Sequence, residues 1–202
     1  MDKKQTTNSS DQHLVEKVLG GDTKAFEIII KNTKGLVAQI VFKMIDNTED
    51  RRDIAQDVFL KTFKDLSGFR FQSKLSTWIA QITYNTCLNY LEKKKLILVN
   101  DEEYGSHEEA LEAQSKITVT DATSATESLI LKKDLSDILK IEIEKLSPIY
   151  KTLITLYHSE ELSYEEIAQI TELPEGTVKN YLFRARKVLK ERLLLKHKKD
   201  EL

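Results

Sequence analysis

Three features of the 202-residue chain predict an all-α fold of two helical domains joined by an acidic linker. Chain breakers are scarce, with six Gly and two Pro, while Leu, Ile, Lys and Glu abound. Apolar residues recur at helical spacing in two blocks, residues 11–95 and 128–197. Between them, residues 96–127 lose that spacing and turn acidic, leaving too few large apolar side chains to bury a core there. The hydrophobic share of 40% is enough for two compact cores.

In the first block, breaks at Gly20-Gly21, Gly35, Asp46-Asn47-Thr48 and residues 67–76 divide the chain into about four or five packed helices. The residues ahead of it are polar and charged, without the apolar centre of a signal peptide. No apolar run approaches the roughly 18 residues of a membrane span. The expectation is a soluble, cytoplasmic chain with no membrane insertion. The single Cys87 cannot form an internal disulfide and sits in the helical run 78–91, where it reads as a small core residue rather than a redox sensor.

The linker concentrates charge. Residues 100–127 hold eight acidic side chains against the one Lys116, whereas residues 179–199 hold nine basic ones against the one Glu191. A net charge of −2 hides this asymmetry, so any nucleic-acid binding must be local. A short helix is expected within the linker at 108–116.

Breaks at Ser147-Pro148, 158–162 and 171–174 cut the second block into four helices. The third opens with Ser163-Tyr164-Glu165-Glu166, in which the Ser hydroxyl can accept from the N3 amide while Glu166 reaches back to the cap amide. The fourth is expected to start near Pro174, whose missing amide costs nothing in a first turn, and Glu175 suits the positive end of the helix dipole.

These last two helices, 163–171 and 174–195, joined by a turn of about three residues, make a helix-turn-helix. Ile167, Ala168, Ile170, Leu173, Val178 and Leu182 are expected to pin them, with the small Ala168 where the helices come closest. On the second helix Val178, Leu182, Ala185 and Leu189 form the core stripe, and Lys179, Asn180, Phe183 and Arg184 project to the other side. There Arg can hold guanine bidentately, Asn can read adenine and Phe183 can meet a thymine methyl. Arg186, Lys187, Lys190 and Arg192 suit phosphates, which orient a protein without specifying sequence. A solvated basic face on a C-terminal helix is the plain alternative, and the capping box, Ala168 and Pro174 together argue against it. Repressors, activators and initiation factors all use such a unit.

The first block ends in a polar loop and a helix, residues 71–95, that closes on Lys93, Lys94 and Lys95. Aromatic, hydroxyl and basic groups share one edge, which suits single-stranded DNA: bases stack on rings or enter small pockets while lysines follow the backbone. Trp78 taken alone reads more readily as a core residue.

With three blocks in order, "DIAQDVF" at 53–59, "STWIAQITYNTCLNYL" at 76–91 and "LSYEEIAQITELPEGTVKNYLFRARKVL" at 162–189, the chain resembles the extracytoplasmic-function sigma factors over residues 11–195. That resemblance implies sigma region 2 at 11–95 and sigma region 4 at 128–197. It implies that Asp53, Gln56 and Asp57 meet the clamp coiled coil of the polymerase core, built of beta and beta-prime subunits. It further implies that Phe71, Ser73, Lys74, Leu75, Thr77, Trp78, Asn85, Lys93 and Lys94 engage the minus-ten element. Thr177, Lys179, Asn180, Phe183, Arg184, Arg186 and Lys187 would read the minus-thirty-five element. The acidic linker would run toward the polymerase active-site cleft, and group membership suggests an anti-sigma factor as a further partner. A Gly is common in the family where Glu172 stands, so a left-handed Glu172 would cost about 1 kcal/mol.

Other classes find little support. Four scattered His and one Cys assemble no metal site, and no Gly-rich phosphate loop, nucleophile elbow or Ser/His/Asp pattern is present. No enzyme activity and no cofactor are expected. Two alternatives stay open at this level: a helix-turn-helix regulator that binds duplex DNA without polymerase, and a helical adaptor that binds only proteins.

Overall fold

The computed structural model describes the backbone of residues 3–98 and 129–200 and the side chains of 10–94 and 136–194. Eight α-helices and one 3-10 turn make up the described residues: α1 (Lys3–Leu19), α2 (Thr23–Met44), α3 (Thr48–Asp65), the turn Leu66–Gly68, α4 (Leu75–Leu98), α5 (Leu129–Glu144), α6 (Pro148–His158), α7 (Tyr164–Thr171) and α8 (Glu175–Asp200). Residues 99–127 of the linker, and the short helix expected in it, lie outside the described residues. The linker's first three positions, 96–98, finish α4.

Local chemistry fixes most helix ends. Gly21 takes a left-handed φ of 94° after α1, and the following Asp22 caps α2, accepting from the amides of Lys24 at 2.9 Å and Ala25 at 3.3 Å. Asn47 does the same for α3 through Glu49 at 2.8 Å and Asp50 at 3.2 Å. Pro148 opens α6, and the capping box on Ser163 closes both ways, Glu166 amide to Ser163 Oγ at 3.2 Å and Ser163 amide to Glu166 Oε2 at 3.0 Å.

Two expectations are corrected. Gly35 does not break the chain: α2 runs through it, because the buried stripe Ile29, Val37, Ile40 and Val41 outweighs the roughly 1 kcal/mol a Gly costs in a helix. The first helix begins at Lys3 rather than near Asp11, over polar residues that carry no apolar period.

In the first lobe α2 packs on α1, α3 and α4; in the second α8 packs on α5, α6 and α7. The lobes also pack on each other, α4 against α7 and α2 against α6, so that their buried side chains join in one core. Cys87, Ile79 and Val58 are fully buried on one side, Leu153, Ile167 and Leu182 on the other. Burial pushes the Cys87 thiol up to about 12, the behaviour of an inert core residue. Buried Thr62 and Thr83 are satisfied within their own helices, donating to the carbonyls four residues back at 2.8 and 2.7 Å.

Candidate nucleic-acid interface

The turn between α7 and α8 is three residues, Glu172 to Pro174 in the expected place, and Glu172 is left-handed with φ 57° and ψ 23°. Pro174 precedes α8, its carbonyl accepting from Thr177 at 2.9 Å and Val178 at 3.1 Å. Val178, Leu182 and Ala185 are fully buried and Leu189 nearly so, which rotates the opposite side of α8 into solvent. Lys179, Asn180, Phe183, Arg184, Arg186 and Lys187 are exposed there, with Phe183 65% accessible, and Thr177 is half-buried in the first turn. An aromatic ring left that open among cations costs apolar hydration and invites a partner. Ala168 is half-buried and lines a cleft facing α4, while Ile167 and Ile170 form the fully buried face of α7.

Two of the cations are tied down. Lys179 bonds Glu175 at 2.5 Å, which raises its pKa, and lies 5.2 Å from the Tyr164 ring centre. Arg186 donates from Nε to His158 Nε2 at 3.3 Å and stacks 5.0 Å from the Tyr157 ring. Nothing in the residue spacing announced either tyrosine, since each sits on a different helix from the cation it touches.

At the start of α4 the chain builds an aromatic nest. Phe69 is buried and meets Phe71 at 4.7 Å and Trp78 at 5.1 Å, ring centre to ring centre. Phe71 has a φ of 55°, a left-handed backbone that a non-glycine residue adopts at a cost, here in the loop itself. Asp11 caps α4 from 64 residues away, accepting from the Leu75 amide at 3.1 Å. That contact, invisible in the local sequence, locks the loop to α1. Trp78 and Asn85 are half-buried, Ser73 is half-buried and Lys74 exposed, whereas Leu75 and Thr77 are buried and support the loop from below. Lys93 and Lys94 are exposed at the far end of α4, and Lys94 lies 5.7 Å from the Tyr90 ring. Tyr90 bonds Asp50, which raises its phenol pKa and joins α4 to α3.

Asp53, Gln56 and Asp57 occupy one exposed face of α3, with Asp57 paired to Lys61 at 2.8 Å. The face is thus available but close to charge-balanced at its end.

The two lobes bring their faces together. Lys74 bonds Glu166 at 2.7 Å, and Gln81 donates to the side chain of Glu172 at 2.7 Å. Gln81 and Glu172 line a cleft of about 450 Å³ together with Ser73, Thr77, Trp78 and Ala168. Lys43 pairs with Glu144, and the buried Lys151 reaches Asp46 at 3.3 Å. Burial acts to raise the Glu166 carboxyl, but the bonds from Lys74 and from the Ser163 amide and hydroxyl outweigh it and hold the group below the usual carboxylate range.

Comparison with known proteins agrees with this geometry. Residues 29–97 match the family Sigma-70 region 2, and residues 139–189 match Sigma-70, region 4. The ECF RNA polymerase sigma-E factor of Escherichia coli is 35% identical over 182 residues, covering 89% of this chain and 92% of the relative. That of Haemophilus influenzae is 32% identical over 184 residues, covering 91% and 95%. Among solved structures, CnrH in complex with the cytosolic domain of CnrY superposes with a TM-score of 0.59 at 18% identity, over 91% of this chain and 96% of that one. The sigma factor RpoE of Bartonella quintana, in complex with the anti-sigma factor NepR, gives 0.60 at 20% identity, over 84% and 97%. A two-lobed helical chain with a helix-turn-helix and these matches belongs to the sigma-70 family, as an RNA polymerase sigma factor of the extracytoplasmic-function group.

Proposed function

We propose that the chain docks on the RNA polymerase core through Asp53, Gln56 and Asp57 of α3, reads the minus-thirty-five element with α8 and captures an extruded minus-ten base at the loop before α4. Lys179, Asn180, Phe183 and Arg184 face the bases on this reading, and Lys187 and Lys190 meet phosphate. The observation that carries it is the nest of Phe69, Phe71 and Trp78 beside Lys74 in the same chain as a basic helix-turn-helix. A regulator that binds only duplex DNA has no use for such a nest, whereas opening DNA costs a few kcal/mol per step, which stacking and pocket contacts must offset. The work is binding and positioning, asks for no catalytic group or cofactor, and is done beside the polymerase in the cytoplasm. Among the described residues no helix is long and apolar enough to cross a membrane.

A groove of about 790 Å³ lined by Leu139, Ile143, Leu189 and Leu193 is the surface we assign to an anti-sigma partner, since it offers apolar side chains ringed by Lys43, Lys140 and Lys190.

The test is to mix the chain, purified core polymerase and labelled promoter DNA, and to probe thymines for strand opening. Protected and opened DNA is expected only when both proteins are present. Sequence-specific binding by the chain alone, with no opening on adding core, would assign it to the regulators instead.

A further inference from the structure

We propose that Tyr157 and Tyr164 are positioning residues for promoter recognition, forming a platform that sets the roll of α8 about its own axis and so decides which of its side chains reach the bases. The proposal rests on the reading of α8 as the minus-thirty-five reader.

The two rings stack at 4.8 Å with an interplanar angle of 22°. Tyr157 comes from the end of α6 and Tyr164 is the first residue of α7, held there by the Ser163 capping box. The Arg186 guanidinium lies 5.0 Å from the Tyr157 ring centre and also bonds the hydroxyls of both tyrosines, and the Lys179 ammonium lies 5.2 Å from the Tyr164 ring centre. Each cation has a second tether, Arg186 to His158 at 3.3 Å and Lys179 to Glu175 at 2.5 Å.

Lys179 and Arg186 stand seven residues apart on α8, two turns along the same side. The buried stripe Val178, Leu182, Ala185 and Leu189 runs along a single line and fixes how far α8 sits from the core. Half-buried Tyr181 and Val188 pack beside it, Tyr181 edge-on to Tyr150 of α6 at 5.8 Å. Two tethers two turns apart on the flank add a hold against the roll that would draw both cations off their rings.

With the roll fixed, Asn180, Phe183, Arg184 and Lys187 point outward, while Lys179 and Arg186 are held at the edge of the face. Their charge serves the DNA backbone there, and their position sets the register of the base-reading residues. This moves Lys179 from the base-reading role that its spacing suggested to a tethered, backbone-facing one. A positioning role of this kind acts on discrimination between sequences more than on total affinity, since phosphate contacts tolerate a small roll and bidentate base contacts do not.

The experiment assembles holoenzyme from core polymerase and full-length variants and measures binding to a promoter and to its single-base-pair changes in the minus-thirty-five element. Tyr164→Leu keeps the apolar bulk and removes the ring; each lost cation–ring contact corresponds to a factor of about 2–5, and the preference for the best sequence should fall by that order. Tyr164→Phe keeps the ring, loses only the hydroxyl's bonds to Tyr157 and Arg186, and should retain most of the wild-type preference. Should Tyr164→Leu fold poorly, Arg186→Met leaves both rings in place and should broaden the preference in the same way. Arg184→Ala is run alongside. If Arg184→Ala alters the base preference while Tyr164→Leu and Arg186→Met leave it unchanged and lower only thermal stability, the platform is structural and the proposal is overturned. If none of the three alters it, α8 is not the reader, and the proposal falls with that reading.

Discussion

Glu172 shows what one residue can cost. The turn of the helix-turn-helix needs a left-handed residue, and Glu172 supplies it at φ 57° although it carries a Cβ. Its side chain gains a bond from Gln81 in exchange. Glu172→Gly should therefore raise the unfolding free energy by about 1 kcal/mol or leave it level, measured by denaturant titration, because relief of backbone strain outweighs one exposed hydrogen bond. At the same scale Arg184 and Lys190 separate base reading from backbone binding. Arg184→Ala is expected to lose about 1–3 kcal/mol of discrimination at one base pair, and Lys190→Ala to weaken all sequences about equally while flattening the salt dependence. Equal losses on every sequence for Arg184→Ala would contradict its assignment.

Elements show where the sequence speaks and where it is silent. The Ser163 capping box, the Pro174 start and the Val178 to Leu189 stripe could all be read directly, because each is set by neighbours within one helical turn or two. Gly35 looks like a break because propensity is local, while the packing that overrides it comes from α1, α3 and α4. The Asp11 cap on α4, the tyrosine platform and the Lys74–Glu166 bond escaped notice for the same reason: their partners lie far apart in the chain. The start of α7 also carries a pH signature. Glu166 has its folded pKa held below the unfolded value, so its contribution is present above the ordinary carboxylate range and is lost as pH falls through the lower folded value. Glu166→Gln, which can still cap, should therefore flatten the loss of stability on acidification relative to wild type in thermal melts across the carboxylate range. At the start of α4, Trp78→Ala is expected to lower open-complex formation more than closed-complex binding; a loss confined to folding stability would make Trp78 a core residue alone.

At the scale of the whole molecule, charge and closure act together. The chain is nearly neutral, yet its cations gather on α8 and at the end of α4, and its anions in the linker. The lobes meet with the loop before α4 facing α7, where Glu166 and Glu172 bond Lys74 and Gln81. The exposed Lys74–Glu166 pair adds only about 0–1 kcal/mol, so the lobes are held chiefly by the packing of α4 on α7 and of α2 on α6. The central claim, that this chain directs initiation through the core enzyme, is tested most directly by run-off transcription from a promoter library with purified bacterial core polymerase, with and without the chain, followed by sequencing of the transcripts. The account predicts start sites that appear only when the chain is added and that share two upstream elements at fixed spacings. An unchanged transcript set, alongside sequence-specific duplex binding in the absence of polymerase, would contradict it.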